Sequence, residues 1–264
     1  MNGDRLKPAA PNSVTMLALM CGVSSLHMTL WGRWEAAVVC ILLASLFDFL
    51  DGKVARCLKV SSRFGAELDS LSDFVCFGVA PGFLMYNWSM PSALRPEALT
   101  GQLAATEATG MPWACALVLA VCCGARLARF NAMLDEEPLP CWRHFFTGVP
   151  APAGGFLAMA PLVFCLGFGA SAEPLCRSPW FVSAFVLGSG ILMASRLPTV
   201  CLKHLHLSGA VRALLAASLL AAGACCFVWP WTVASVMVVV YLLSLPVSGL
   251  VFLRLKARNL AATA

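Results

Sequence analysis

The sequence predicts an all-α, polytopic membrane bundle of about eight transmembrane helices, and three observations predict it. Hydrophobic residues make up 60% of the 264 positions and charged residues only 12%. The mean hydropathy of +0.82 is far above that of a soluble domain of this length. Apolar stretches long enough to cross a hydrocarbon layer of about 30 Å recur from one end of the chain to the other.

The first stretch covers residues 12–31. Arg5 and Lys7 ahead of it give the outline of a signal peptide, but the small-residue cleavage pattern is missing around Leu30 and Trp31, which favours an uncleaved first helix. The second covers residues 34–51 and is interrupted by charge at its end. The third covers 68–90 and leads into a polar outer connection, about 89–111, with Pro91 and Pro96. The fourth covers 112–132 and the fifth 150–169. Gly148, Pro150 and Pro152 either shape the entry to the fifth or merely punctuate a loop. The sixth covers 180–197 and the seventh 210–229. The eighth covers 231–253, separated from the seventh only by Pro230 within Trp229-Pro230-Trp231, an aromatic pair suited to a membrane interface. Residues 1–264 thus read as a single integral membrane domain, with C-terminal spans at about 180–253.

Basic residues set the expected orientation. With a cytoplasmic N-terminus, 15 of the 18 Lys and Arg fall on the inner side, and only Arg33, Arg95 and Arg177 fall outside. Both termini and the loop from Gly52 to Glu67 then face the cytoplasm. The net charge of +5 is therefore a topology signal and an attraction to anionic headgroups. It does not indicate nucleic acid, because no soluble basic domain is expected. Lys53, Lys59 and Arg63 could attract headgroups or a phosphorylated acceptor, although topology alone explains them. Asp135, Glu136 and Glu137 read as a solvated loop. The 13 cysteines lie mostly inside spans without paired metal-type spacing, and read as small apolar core residues. His204 and His206 read as part of a solvated basic loop, with a metal site there a weaker idea.

Four acids break the apolar pattern. Asp48 and Asp51 are three apart and Asp69 and Asp73 four apart, so on helices each pair shares one face. Left unneutralised near the bilayer centre, the four would cost about 10 kcal/mol on insertion scales. Two such pairs on adjacent helices could converge into a cage of oxygen ligands. Hard divalent cations such as Mg²⁺ or Mn²⁺ prefer that donor set and bridge phosphates. Four carboxylates with no histidine among them favour such ions over zinc.

Around these acids the chain reads DFLDGKVARCLKVSSRFGAELDSLSD over residues 48–73, or D-x2-D-G-x2-A-R-x8-G-x3-D-x3-D. This resembles the signature of the CDP-alcohol phosphotransferases at Asp48, Asp51, Gly52, Ala55, Arg56, Gly65, Asp69 and Asp73, without insertion or substitution. PNSVT at residues 11–15, DSLSDFVCFGVAPG at 69–82, GARLARFN at 124–131 and GVPAPAGG at 148–155 resemble the phosphatidylserine synthase branch. That resemblance runs from about residue 11 to 160 and leaves the later spans matched only in hydropathy and number.

The resemblance implies an enzyme of the CDP-alcohol phosphotransferase fold that carries two divalent ions, Mg²⁺ or Mn²⁺, per site. It further implies that Asp48, Asp51 and Asp69 are metal ligands, Asp51 and Asp69 shared between the ions, and that Asp73 is both a ligand and the general base. Gly52 and Ala55 are small enough for a nucleotide to approach the helix backbone, or serve helix packing. Arg56 could hold a phosphate or the cytidine edge, and also sets topology. Gly65 lets the third span start close to the second. These four would contact the CDP moiety. Glu67 lies off the Asp69 and Asp73 face and reads as solvated.

Arg126 and Arg129, followed by Asn131, stand near the inner end of the fourth span. Buried arginines beside a metal site call for an anion, either the serine carboxylate or the lipid diphosphate, unless they snorkel at a helix end. The expected reaction is transfer of the phosphatidyl group from CDP-diacylglycerol to L-serine, at the cytoplasmic side of a cell's inner membrane. A different acceptor, such as glycerol phosphate, inositol phosphate or choline, stays open. A transporter using intramembrane acids would explain the aspartates but not the intervening Gly52, Ala55, Arg56 and Gly65. Gly78-x3-Gly82 permits close helix contact, and the family resemblance implies a homodimer.

Overall fold

The computed structural model describes residues 9–58, 62–90, 106–132, 145–169, 171–195, 198–200, 225 and 228–263. Helices α1 (Ala9–Leu30) and α2 (Trp34–Leu58) form an antiparallel pair joined by a tight turn at Gly32, which has a φ of +66°. At 1.5 Å per residue the 22 residues of α1 span about 33 Å, the thickness of a hydrocarbon core. The helix of α2 does not stop where its apolar run stops. It continues beyond Asp51 to Leu58, carrying Lys53 and Arg56.

The third span is composite. α3 (Arg63–Asp73) passes into a π-helical turn (Phe74–Val79) and then α4 (Ala80–Ser89). Pro81 explains the widened turn: it has no N–H for the Phe77 carbonyl and its ring crowds that carbonyl. α5 (Thr106–Ala132) crosses against it. Gly78 and Gly82 make that crossing close, since a Cβ on Gly78 would lie 2.9 Å from Cys123 Cβ and one on Gly82 3.2 Å from the Ala116 carbonyl oxygen. The small-residue pattern is thus used within the chain.

A short strand β1 (Phe145–Thr147) pairs antiparallel with β2 (Pro198–Val200), with Phe145 opposite Val200. Gly148 follows β1 with a φ of +81° and packs so close to the Ser195 and Met193 carbonyls that a Cβ would collide with them. The predicted fifth span is two helices, α6 (Ala151–Ala158) and α7 (Ala160–Phe168), bent by 54° at Met159. Pro161 accounts for the break by removing the N–H that would bond the Leu157 carbonyl. A single turn α8 (Glu173–Cys176) precedes α9 (Pro179–Ala194), and α10 (Pro230–Thr263) begins at the proline expected to divide the last two spans. Ser235 Oγ donates to the Val163 carbonyl at 3.1 Å and Thr232 Oγ1 to that of Gly167 at 3.2 Å, fastening α10 to α7.

The core is mainly apolar, with Ile41, Phe77, Leu84, Leu119, Met159, Leu162 and Met193 fully buried. The outside is apolar too: Met20 of α1, Leu46 of α2, Val121 of α5 and Met237, Val240 and Leu243 of α10 are exposed. An outward-facing apolar surface on helices of this length marks an integral membrane protein. Among the described residues three helical runs, Asn12–Leu30, Arg63–Ser89 and Gly110–Ala132, are each long and apolar enough to cross alone, and the bent α6–α7 pair makes a fourth. Pro179–Ala194 and Pro230–Pro246 are apolar but shorter. The expected count of eight is not reached among the described residues. The predicted span 210–229, the acidic run Asp135–Glu137, Lys59, and His204 with His206 lie outside or almost wholly outside them. Among the described residues ten cysteines are free, seven of them buried or half-buried in apolar spans.

Replacing Gly82 by Leu forces a branched side chain against the Ala116 backbone. The expected loss is about 2 kcal/mol, read as a lower Tm in detergent, and an unchanged Tm would show that the crossing is looser than described.

Candidate active site

The site forms where α2 and α3 meet over α1. Asp48 and Asp51 stand one turn apart on α2, and Asp69 and Asp73 one turn apart on α3. The register of α3 is set at its start, where the Ser62 side chain accepts the Gly65 N–H at 3.0 Å as an N-cap. A Cβ on Gly65 would lie 2.9 Å from Asn12 Oδ1. Gly65 therefore seats α3 against the first span.

One carboxylate oxygen from each of Asp48, Asp51 and Asp69 lies within 4.8 Å of the others. Asp73 is close enough to Asp48 and Asp69 to interact with both electrostatically, so all four acids belong to one cluster. Asp51 is only 6% exposed. Thr15 of α1 donates from Oγ1 to Asp51 Oδ2 at 2.7 Å, and Ser72 Oγ donates to the Thr15 carbonyl at 3.4 Å, which ties all three helices together. Carboxylates in contact need a proton or a cation between them. An all-oxygen donor set of this kind suits a hard divalent ion, and the cluster could hold one.

The remaining signature residues line the same edge of α2. Gly52 opens onto free space, with nothing within 4 Å of where a Cβ would stand. Arg56 is exposed, and its Nε donates to the Gly52 carbonyl at 2.8 Å. Ala55 lies on the helix between them, with its side chain outside the description. Lys53 Nζ sits 4.4 Å from the centre of the Phe49 ring, and Glu67 is exposed.

The three residues expected from α5 have three different surroundings. Arg126 is near enough to Asp73 for electrostatic interaction, and its Nε is buried without a hydrogen-bond partner. Arg129 Nη1 donates at 3.0 Å to the carbonyl of Ala194, the last residue of α9, as a cation at a helix C-terminus. Asn131 Nδ2 donates at 3.0 Å to Ser70 Oγ on α3. Thr15, Ser70 and Tyr241 carried no assignment from sequence. Thr15 falls within the PNSVT run, but nothing in its spacing announces Asp51 as its partner. Tyr241 of α10 interacts electrostatically with Arg126. It also lines an apolar groove of about 590 Å³ between α2, α6, α7 and α10, with Phe49, Phe156 and Trp231 among its walls.

Fold and site together define a membrane-embedded helical protein whose polar centre is a carboxylate cluster shared by two spans. The chain belongs to the CDP-alcohol phosphatidyltransferase family, whose model matches residues 9–193. It is 35% identical over 237 residues to the CDP-diacylglycerol–serine O-phosphatidyltransferase of Mycobacterium leprae (strain TN), covering 89% of this chain and 73% of that protein. The Bacillus subtilis (strain 168) protein of the same name is 34% identical over 145 residues, 55% of this chain and 70% of the relative. The archaetidylserine synthase of Methanothermobacter thermautotrophicus is 34% identical over 146 residues, 54% and 53% of the two chains. The family match reaches Met193, so likeness extends past the boundary near residue 160 read from short motifs.

Thr15→Val keeps the shape and removes the hydrogen bond to Asp51. The variant is expected to fold and to need about tenfold more Mn²⁺ for the same thermal stabilisation. An unchanged Mn²⁺ dependence would detach Thr15 from ion binding.

Proposed function

We propose that this protein transfers the phosphatidyl group of CDP-diacylglycerol to L-serine, forming phosphatidylserine and CMP. The observation that carries the reading is the convergence of Asp48, Asp51, Asp69 and Asp73 on α2 and α3 of a chain in this family. The names of the relatives support serine as the acceptor.

In this reading Asp48, Asp51, Asp69 and Asp73 would hold two divalent ions, Mg²⁺ or Mn²⁺. When bound, such ions neutralise the diphosphate and stabilise charge on the departing CMP. Asp73 takes the proton of the serine hydroxyl as its oxygen attacks the phosphorus of the lipid phosphate. The bond from that phosphorus to the CMP oxygen breaks, and Asp73 is left protonated. Thr15 fixes the orientation of Asp51. Gly52, Ala55, Arg56 and Gly65 form the CDP-contacting edge, supported by the open space over Gly52. Arg126 meets an anionic group of a substrate. Arg129 and Asn131 support it by holding α5 to α9 and α3. The apolar groove takes acyl chain, its volume lying in the range of ordinary ligand sites.

The excess of basic residues on one side supports a cytoplasmic active site and cytoplasmic termini in a cell's inner membrane. A homodimer completes the proposal.

Purified protein given CDP-diacylglycerol and Mn²⁺ is expected to release CMP with L-serine and not with glycerol phosphate, inositol phosphate or choline. The reverse pattern would remove the serine assignment. Asp73→Asn is expected to lower CMP release at least about 100-fold at unchanged Tm, and full activity would defeat the base role.

A further inference from the structure

The chain has two tyrosines, and one of them, Tyr241, interrupts the apolar run from Val238 to Leu243. Its hydroxyl is buried and has no hydrogen-bond partner. Arg126, from a different helix, has a buried Nε in the same condition. The two side chains are close enough to interact electrostatically, and Arg126 interacts likewise with Asp73. Buried polar groups are ordinarily paired, and two such orphans within electrostatic reach of each other, one of them also within reach of Asp73, are a pairing left open.

The chemistry of the two groups specifies what closes it. A guanidinium only donates hydrogen bonds, and a phenol donates one readily. Both therefore suit the same acceptor, an oxygen carrying negative charge. The location narrows the choice further, because Tyr241 also lines the apolar groove. The orphaned pair thus links that groove, through Tyr241, to Asp73, through Arg126.

We propose that Tyr241 and Arg126 together form an anion-binding subsite, built jointly by α10 and α5, which holds a substrate oxyanion beside the aspartate cluster. The inference rests on the proposed phosphatidyl transfer, whose two substrates each supply such a group: the carboxylate of the acceptor and the phosphate of the lipid. It also gives α10, which lies beyond the family match at residues 9–193, a specificity-determining residue.

Tyr241→Phe tests the subsite, because deleting an unpartnered hydroxyl leaves the ring in place and does not lower the Tm of the ligand-free protein. The KM for one substrate is expected to rise about tenfold with kcat little changed. A rise for L-serine assigns the subsite to the carboxylate, and a rise for CDP-diacylglycerol assigns it to the phosphate. The gain in Tm produced by that same substrate, with Mn²⁺ present, is expected to shrink in the variant. Unchanged KM values and unchanged ligand-induced Tm gains overturn the subsite, and so does a lowered ligand-free Tm with both KM values intact. If the wild-type protein releases no CMP with serine, the proposed reaction fails separately. The subsite is then judged on the Tm gain from CDP-diacylglycerol, where a smaller gain in Tyr241→Phe supports it and an equal gain overturns it.

Discussion

Carboxylates gathered inside an apolar helical bundle repel one another and lose hydration, so they persist only where the surrounding structure holds them and a counter-charge meets them. The layout around Asp48, Asp51, Asp69 and Asp73 follows from that constraint. Among the described residues a single guanidinium, Arg126 of α5, is within electrostatic reach of Asp73, too little positive charge for four acids. The all-oxygen donor set suits divalent cations, which would supply the balance. The helices then serve to keep the donors in register. Asp51 is held by Thr15, and α3 is started by Ser62 and seated on α1 through Gly65.

The π-helical turn beginning at Phe74 belongs to the same arrangement. One extra residue in a turn rotates everything after it by about 100° relative to a regular α-helix. Before the turn, Asp69 and Asp73 face the acids of α2. After it, Gly78 and Gly82 face α5 closely enough to need the absence of a side chain. The span thus presents its polar face and its packing face in directions that a continuous α-helix would not combine. Asn131 and Arg129 lock the result from α5, one to Ser70 and the other to the end of α9. In a low-dielectric setting such hydrogen bonds are electrostatically stronger than in water.

Much of this was legible in the sequence, and what was not has a common cause. Hydropathy located α1, the composite third span, α5, α9 and the start of α10, because burial in lipid is a property of composition. It was silent on the π-helical turn and on the 54° bend at Met159, which depend on where Pro81 and Pro161 remove backbone donors. Helical spacing paired the aspartates correctly within each helix. The same spacing put Arg126 and Arg129 on one face, yet the long side chains diverge, one toward Asp73 and the other to Ala194. Partners from distant segments, Thr15 for Asp51 and Tyr241 for Arg126, leave no local periodic trace. A lone tyrosine in an apolar run was the only available hint.

Why acids should be placed in such costly surroundings follows from comparing two penalties. On the proposed reaction the donor carries two acyl chains. Withdrawing chains of on the order of 15 methylenes each from the bilayer would cost about 24 kcal/mol at ~0.8 kcal/mol per methylene. Four carboxylates at bilayer depth cost about 10 kcal/mol before any cation is bound. Bringing the charge to the lipid is the smaller cost by a wide margin, and cations reduce it further. An apolar groove lined by Tyr241, which is itself within electrostatic reach of Arg126, is the geometry this comparison calls for: in the proposed reaction the chains would remain among apolar side chains while the phosphate stays on the polar side. The same reasoning leaves the water-soluble CMP part of the donor on the open side of the cluster, over Gly52, where nothing stands within 4 Å of a would-be Cβ.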